Sequence, residues 1–265
     1  MNQVQETLFY PLVTRTKALE KWPHLFSYHS EKDVIHKSPE GTLKNEDYKD
    51  MVFFITGFRH EASLQCLKEY IQKHPNCTVV NLGCGLADLY PDVDNGTIKY
   101  YNVDYPEVIK VRENIMDKGE REINIPSSLT NHTWMDSLIF KKEEGIIFIA
   151  IGVIYYLQVE EGKAMIRAMA EKFPGGRFIF DSESPEAMTK SQKQMEKKGI
   201  HEAPLVFRVE NYEDILHWSP QISKVNIIYM DKDLIPQGNK IPLSMKLMFK
   251  AAKMKKFFFF VEIDF

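Results

Sequence analysis

At 265 residues and 44% hydrophobic, the chain suits one large α/β domain with room for a substantial core. A formal net charge of −3 leaves no electrostatic case for nucleic acid or an anionic membrane as the main partner. Residues 1–7 lack the apolar core of a signal peptide and three cysteines show no metal spacing, so a metal-free cytoplasmic protein with free thiols is expected.

Residues 1–57 carry helical patches interrupted by Pro11, Pro23 and Pro39, without a period-2 strand. Residues 61–73 place Leu64, Leu67, Tyr70 and Ile71 at helical spacing, and His74-Pro75 ends that run. Short apolar runs then alternate with longer helical patterns. Strands are predicted over 78–82 and 98–103, followed by a helix over 106–118 with Pro106 in its first turn. A weaker strand at 123–125 precedes a clear one at 146–151 and a helix at 160–173. Beyond the Pro174-Gly175-Gly176 turn comes a strand at 177–181. The polar, helix-prone stretch 184–218 reads as an insertion able to cover a site. Final strands at 224–230 and 256–263 are joined through a helix at 243–253. Lys250, Lys253, Lys255 and Lys256 read as a solvated face, the last two guarding a Phe-rich strand. This alternation implies an α/β fold with a mainly parallel sheet and helices on both faces, whose ligands bind outside the carboxyl ends of the strands. The expected organisation is an N-terminal helical segment or cap over 1–60 and one domain over 61–265 that carries the insertion.

The sharpest local signal is Gly83-Cys84-Gly85 at the end of the first strong strand, where a missing Cβ lets backbone approach a ligand. Asp104 follows Gly83 by 21 residues, at the end of the next strand. It can accept hydrogen bonds from the ribose hydroxyls of an adenosine group, or cap the helix that begins near Pro106. A pyrophosphate-binding turn wants glycine where Asp88 stands, and a carboxylate there repels phosphate. S-adenosylmethionine, which has no phosphate, is therefore favoured over NAD. An NAD-dependent oxidoreductase remains an alternative.

The runs VVNLGCGL, VDNGTIKYYNVDYPEVIKVRENI, SSLTNHTWMDSL, IFIAIGVIYYL and FPGGRFIFDSES, in that order over residues 59–183, resemble the leucine carboxyl methyltransferase superfamily. The similarity is greatest to its bacterial branch related to a tetracenomycin polyketide O-methyltransferase. The resemblance implies a Rossmann-like class I fold with a seven-stranded sheet. It also implies S-adenosylmethionine as cofactor, S-adenosylhomocysteine as product and a small-molecule acceptor. By the same resemblance Arg59 would pair with the cofactor carboxylate, Gly83 and Gly85 would pass beneath its methionyl part, and Cys84, through its backbone, and Gly152 would also contact the cofactor. Asp104 would hold the ribose, Tyr105 would also contact the cofactor, and Asn131 would lie near the adenine amino group, where the family commonly has aspartate. Ala87 and Ile151 also stand where the family carries acids. Losing three carboxylates around a sulfonium cation keeps a second alternative open, a non-catalytic protein that binds the cofactor or its product.

Methyl transfer from a sulfonium to a carboxylate needs no general base, because the acceptor is already ionised at neutral pH. A hydroxyl acceptor would call for one. Tyr155, Tyr156 and Glu183 are the pocket candidates, with Asp181 on the same rim, whereas His132, His201 and His217 have no spacing that selects among them. Trp134 reads as core.

Overall fold

Thr78–Leu82, apolar but for Thr78 and Asn81, form strand β1, which is buried from end to end. In the computed structural model, which describes residues 3–37, 49–197, 204–255 and 257–265, six more strands join it. They are β2 (Lys99–Asp104), β3 (Glu122–Pro126), β4 (Ile146–Ala150), β5 (Arg177–Glu183), β6 (Lys224–Tyr229) and β7 (Phe258–Asp264). Their order across the sheet is β3-β2-β1-β4-β5-β7-β6, and β7 alone runs antiparallel to its neighbours. The central strands are mostly apolar because both sheet faces are covered, with Asn81 and Asn102 buried and hydrogen-bonded to each other. Val79, Tyr100, Ile147 and Ile179 point into one core with Phe54, Phe58 and Leu64, while Val80, Tyr101, Phe148 and Phe178 point into the other with Trp134 and Met165.

Eight α-helices accompany the sheet among the described residues. They are α1 (Gln3–Lys21), α2 (Lys32–His36), α3 (Asp50–Lys73), α4 (Tyr90–Val93), α5 (Pro106–Ile115), α6 (Val159–Lys172), α7 (Pro185–Lys197) and α8 (Leu243–Met254). Two of them correct the sequence expectations. Pro11 lies inside α1 without ending it, and the Thr14 hydroxyl donates to the Tyr10 carbonyl at 2.9 Å and to the Pro11 carbonyl at 3.1 Å, inside the proline-disturbed turn. The helix expected from residue 61 begins at Asp50, because Phe54, Phe58 and Ala62 continue its buried stripe upstream. The boundary expected near residue 60 thus falls inside α3. Pro39, His201 and part of the 184–218 insertion lie outside the described residues.

Of the insertion, α7 packs on β5, and residues 204–209 return across the end of β4. There the amides of Val206 and Phe207 donate to the Tyr155 carbonyl at 2.8 and 3.1 Å. The Phe207 ring is fully buried against Phe180 and Gly162. The N-terminal segment is fastened on the other side of the same rim. Arg15 donates from Nε and Nη2 to the two carboxylate oxygens of Glu31 at 2.9 and 2.7 Å, and from Nη2 to the Leu86 carbonyl at 3.0 Å.

Candidate active site at the carboxyl ends of the strands

The turn after β1 is built by glycines with φ of +60° at Gly83 and +49° at Gly85, values that an L side chain rarely adopts. Its amides are spoken for. Gly83 and Cys84 donate to the Val103 carbonyl at 2.7 and 3.3 Å, and Gly85 donates to Asp104 Oδ2 at 2.8 Å. Asp104 Oδ1 accepts the Tyr105 amide at 2.7 Å. Burial raises the Asp104 pKa, with the two amides opposing that shift. A pyrophosphate turn needs free N–H groups at the mouth of a helix. Here three consecutive amides are consumed internally, and the next helix, α4, has only four residues. This, and not Asp88, is what disfavours a dinucleotide. Asp88 lies 3.7 Å from Arg112 and 3.2 Å from His29 Nε2. Hydrogen bonds to Asp88 and Asp92 push the His29 pKa up to about 10, so its ring is protonated at neutral pH and helps to compensate the Asp88 charge.

Opposite the glycine turn, Arg59 reaches over the end of the sheet from α3. Its Nη2 donates to Asp181, on β5, whose side chain is fully buried. Asp181 also accepts the Gly152 amide at 2.7 Å and the Tyr155 hydroxyl at 3.3 Å, so one carboxylate gathers α3, the end of β4 and the turn beyond it. Burial works against the Arg59 charge, but Asp181, Tyr155 and Glu183 together more than offset it and the guanidinium stays protonated. Arg59 Nε is buried with no hydrogen-bond partner. Gly152 has a φ of +75°, and a Cβ there would lie 3.1 Å from Arg59 Nη2. Glu183 lies two residues beyond Asp181 and is half-buried. It accepts from the Ser191 hydroxyl at 2.7 Å, and burial raises its pKa. Burial also raises the pKa of the enclosed Tyr155, so that phenol stays neutral, whereas the Tyr156 side chain is exposed.

Arg59, from the interior of α3, and Gly83, Gly85, Asp104, Gly152, Tyr155 and Glu183, at or just beyond the ends of β1, β2, β4 and β5, are all placed at this rim. Cys84 points away, its thiol buried and its pKa raised by that burial. Tyr105 and Asn131 are exposed, and Asn131 Oδ1 accepts the Thr133 amide at 3.3 Å as the cap of a short 3-10 helix, His132–Ser137. Trp134 is core, packed edge-on against Phe148 with its Nε1 donating to the Leu129 carbonyl. His132 and His217 form no part of the cluster around Asp181. Sequence reasoning missed the Arg59–Asp181 pair, because nothing in the spacing of two residues 122 apart shows that they meet.

Residues 20–170 match the family model described as leucine carboxyl methyltransferase. The chain belongs to that family. One relative, the tetracenomycin polyketide synthesis O-methyltransferase TcmP of Streptomyces glaucescens, is 26% identical over 132 residues. That match covers 49% of this chain and 48% of the relative, so the chain aligns with about half of the relative's length. Among solved structures, a putative methyltransferase from Thermobifida fusca superposes with a TM-score of 0.55 at 11% identity, covering 79% of this chain and 80% of that one. The plantazolicin methyltransferase BamL superposes with a TM-score of 0.53 at 12% identity, over 97% of both chains. At such identities the likeness shows the fold, the class I Rossmann-like arrangement.

The cofactor of this family member is S-adenosylmethionine, and the rim fits it. Arg59 offers an unpartnered buried Nε for a carboxylate. A Cβ on Gly85 would come no nearer to another residue than 3.4 Å, from Leu8. The partly exposed Asp104 stands at the end of β2 beside that turn.

Proposed function

We propose that the chain is an S-adenosylmethionine-dependent methyltransferase that acts on an oxygen atom of a small molecule, a carboxylate or a hydroxyl. The observation that carries this reading is the meeting, on one rim, of an arginine with a spare buried donor and a glycine turn whose amides are saturated by Asp104 and Val103. Such a rim suits a ligand with a carboxylate and a ribose but no phosphate. The name of the Streptomyces relative supports oxygen as the acceptor atom.

When bound, the cofactor supplies a methyl group on a sulfonium, ready for in-line displacement. The chain's own residues would then bind, align and exclude water. Arg59 would hold the methionyl carboxylate, with Gly83, Cys84, Gly85 and Gly152 presenting backbone to the methionyl part. Asp104 would take the ribose hydroxyls beside Tyr105, and Asn131 would stand near the adenine. Tyr155 and Tyr156 would line the acceptor side, under the cap formed by α7 and residues 204–209. Of the two acids beyond the middle of β5, Asp181 is occupied by three donors. Glu183, with its raised pKa, is the group suited to take a proton from a hydroxyl acceptor.

Calorimetric titration with S-adenosylmethionine, S-adenosylhomocysteine and NAD tests the cofactor. Micromolar binding of the first two and none of the third is expected, whereas NAD binding alone would overturn the proposal. Asp104→Ala is expected to weaken S-adenosylhomocysteine binding at least tenfold, about 1.4 kcal/mol, in protein whose melting curve shows it folded. Glu183→Gln separates the acceptor classes. Methylation of a phenol or alcohol should fall by about 10²-fold, while methylation of a carboxylate should keep its rate. Bound cofactor product with no transfer to any carboxylate, phenol or alcohol would favour a non-catalytic binding protein.

A further inference from the structure

The three most exposed large hydrophobic side chains among the described residues all belong to α8. Leu243 is 72% exposed, Leu247 59% and Met254 77%, against 53% for the next, Ile139. They stand at positions i, i+4 and i+11, so at 3.6 residues per turn they fall within about 40° of one another around the helix. Met245, Phe249 and Ala252 occupy the opposite side and are buried, Phe249 against Phe58 with ring centroids 5.0 Å apart. The helix is therefore apolar twice over, once toward the core and once toward solvent.

The stretch of sequence that carries this stripe bears charge of one sign. From Leu234 to Val261 the chain carries six lysines, Lys240, Lys246, Lys250, Lys253, Lys255 and Lys256, and no carboxylate. The net charge of −3 concealed this asymmetry. Lys250 and Lys255 are exposed, while Lys253 is paired with Asp231 at 3.2 Å. The basic surface continues onto α7, where the Lys190 ammonium sits 4.9 Å from the Phe257 ring, which Lys255 flanks at 5.5 Å. It also adjoins the candidate active site. The Ser184 amide donates to the Phe257 carbonyl at 3.4 Å, Phe258 pairs with Glu183 across the sheet, and the Arg59 guanidinium lies 5.3 Å from the Phe258 ring.

We propose that the outer face of α8 docks flat on an anionic lipid surface, with Leu243, Leu247 and Met254 in the acyl boundary and the exposed Lys250 and Lys255 among the headgroups, which brings the acceptor side of the rim to the bilayer. An exposed Leu/Met stripe beside lysines is the composition of an interfacial helix. No helix among the described residues is long and apolar enough to cross a membrane, so the contact is peripheral. A two-fold-related second copy fits this face poorly, because an isologous contact would set Lys250 and its neighbours against themselves with no acid on α8 to pair them.

Flotation of the full chain with vesicles tests this. Binding is expected to vesicles of phosphatidylcholine with about a third phosphatidylglycerol, and not to phosphatidylcholine alone, and it should weaken as salt rises. The pair Lys250→Glu and Lys255→Glu should weaken partition at least about tenfold. The pair Leu247→Ser and Met254→Ser, which removes only exposed apolar atoms, should weaken it about as much. Failure to float with anionic vesicles would overturn the proposal, as would flotation untouched by the serine pair, which marks adsorption by charge alone. Self-association in sedimentation velocity that the serine pair abolishes would assign the face to a second copy and also overturn it. The apolar control keeps these outcomes separate from the methyltransferase reading, since none of the four residues lies in the proposed cofactor or acceptor site.

Discussion

Arg59→Leu is expected to lower stability by about 3 kcal/mol and to weaken S-adenosylhomocysteine binding about 10- to 100-fold, two losses with different causes. The stability loss comes from Asp181, which has no exposed surface and would be left buried without its guanidinium partner. The figure is set at the lower end of the usual range because Arg59 retains 24% exposure and water can partly replace it. The affinity loss comes from the missing charge-assisted hydrogen bonds to the cofactor carboxylate, worth roughly 1.5–3 kcal/mol. A second substitution separates the two. Asp181→Asn on the Arg59→Leu background removes the stranded carboxyl while keeping an oxygen for the Gly152 amide and the Tyr155 hydroxyl. Chemical denaturation should then show most of the stability restored, with the affinity still low. Methylthioadenosine, which lacks the methionyl carboxylate, should bind all these variants equally. Full affinity for S-adenosylhomocysteine in the double variant would show that Arg59 serves only as the partner of Asp181.

The fold was legible where hydrophobic period and turn chemistry agree. Strands β1, β2, β4 and β5 emerge from apolar runs bounded by glycine, proline or asparagine, and their limits fall within about two residues of those expected, since helix and strand ends are blurred by that much. Gly83, Gly85 and Asp104 could be placed because a class I turn leaves a local signature over a short stretch of chain. Less local facts were hidden. The start of α3 was missed because its upstream turns are buried by α1 and α8, contacts made by residues distant in sequence. Pro11 was taken for a breaker because propensity weighs the lost N–H, whereas Phe9 and Leu12 bury α1 beside Leu86 strongly enough to carry the helix through. Asp88 illustrates a different failure. Its carboxylate was weighed as a free charge, but Arg112 and His29 had already compensated it, and only the three-dimensional neighbourhood reveals such compensation. The basic outer face of α8 was averaged away by a net charge summed over the whole chain.

A last expectation concerns residues that touch no ligand. Glu31 is almost wholly buried, accepts both arms of Arg15, and accepts the Asp88 amide at 3.2 Å, while Arg15 holds the Leu86 carbonyl. The pair thus ties α1 and the segment before α2 to the far end of the glycine turn, within six residues of Gly83. Glu31→Ala should cost about 3–5 kcal/mol, because it strands a buried guanidinium and leaves the Asp88 amide without its acceptor. Replacing the pair together, Arg15→Met with Glu31→Leu, should recover much of that stability, since apolar side chains of similar volume fill the space without a desolvation penalty. If the pair serves only stability, the double variant will bind S-adenosylhomocysteine as tightly as the parent. A weaker affinity at restored stability is the expected result, because the apolar pair can pack but cannot hold the Leu86 carbonyl and the Asp88 amide in place. The shape of the turn that carries Gly83 and Gly85 would then depend on a salt bridge contributed by the N-terminal segment, which makes that segment a working part of the cofactor rim.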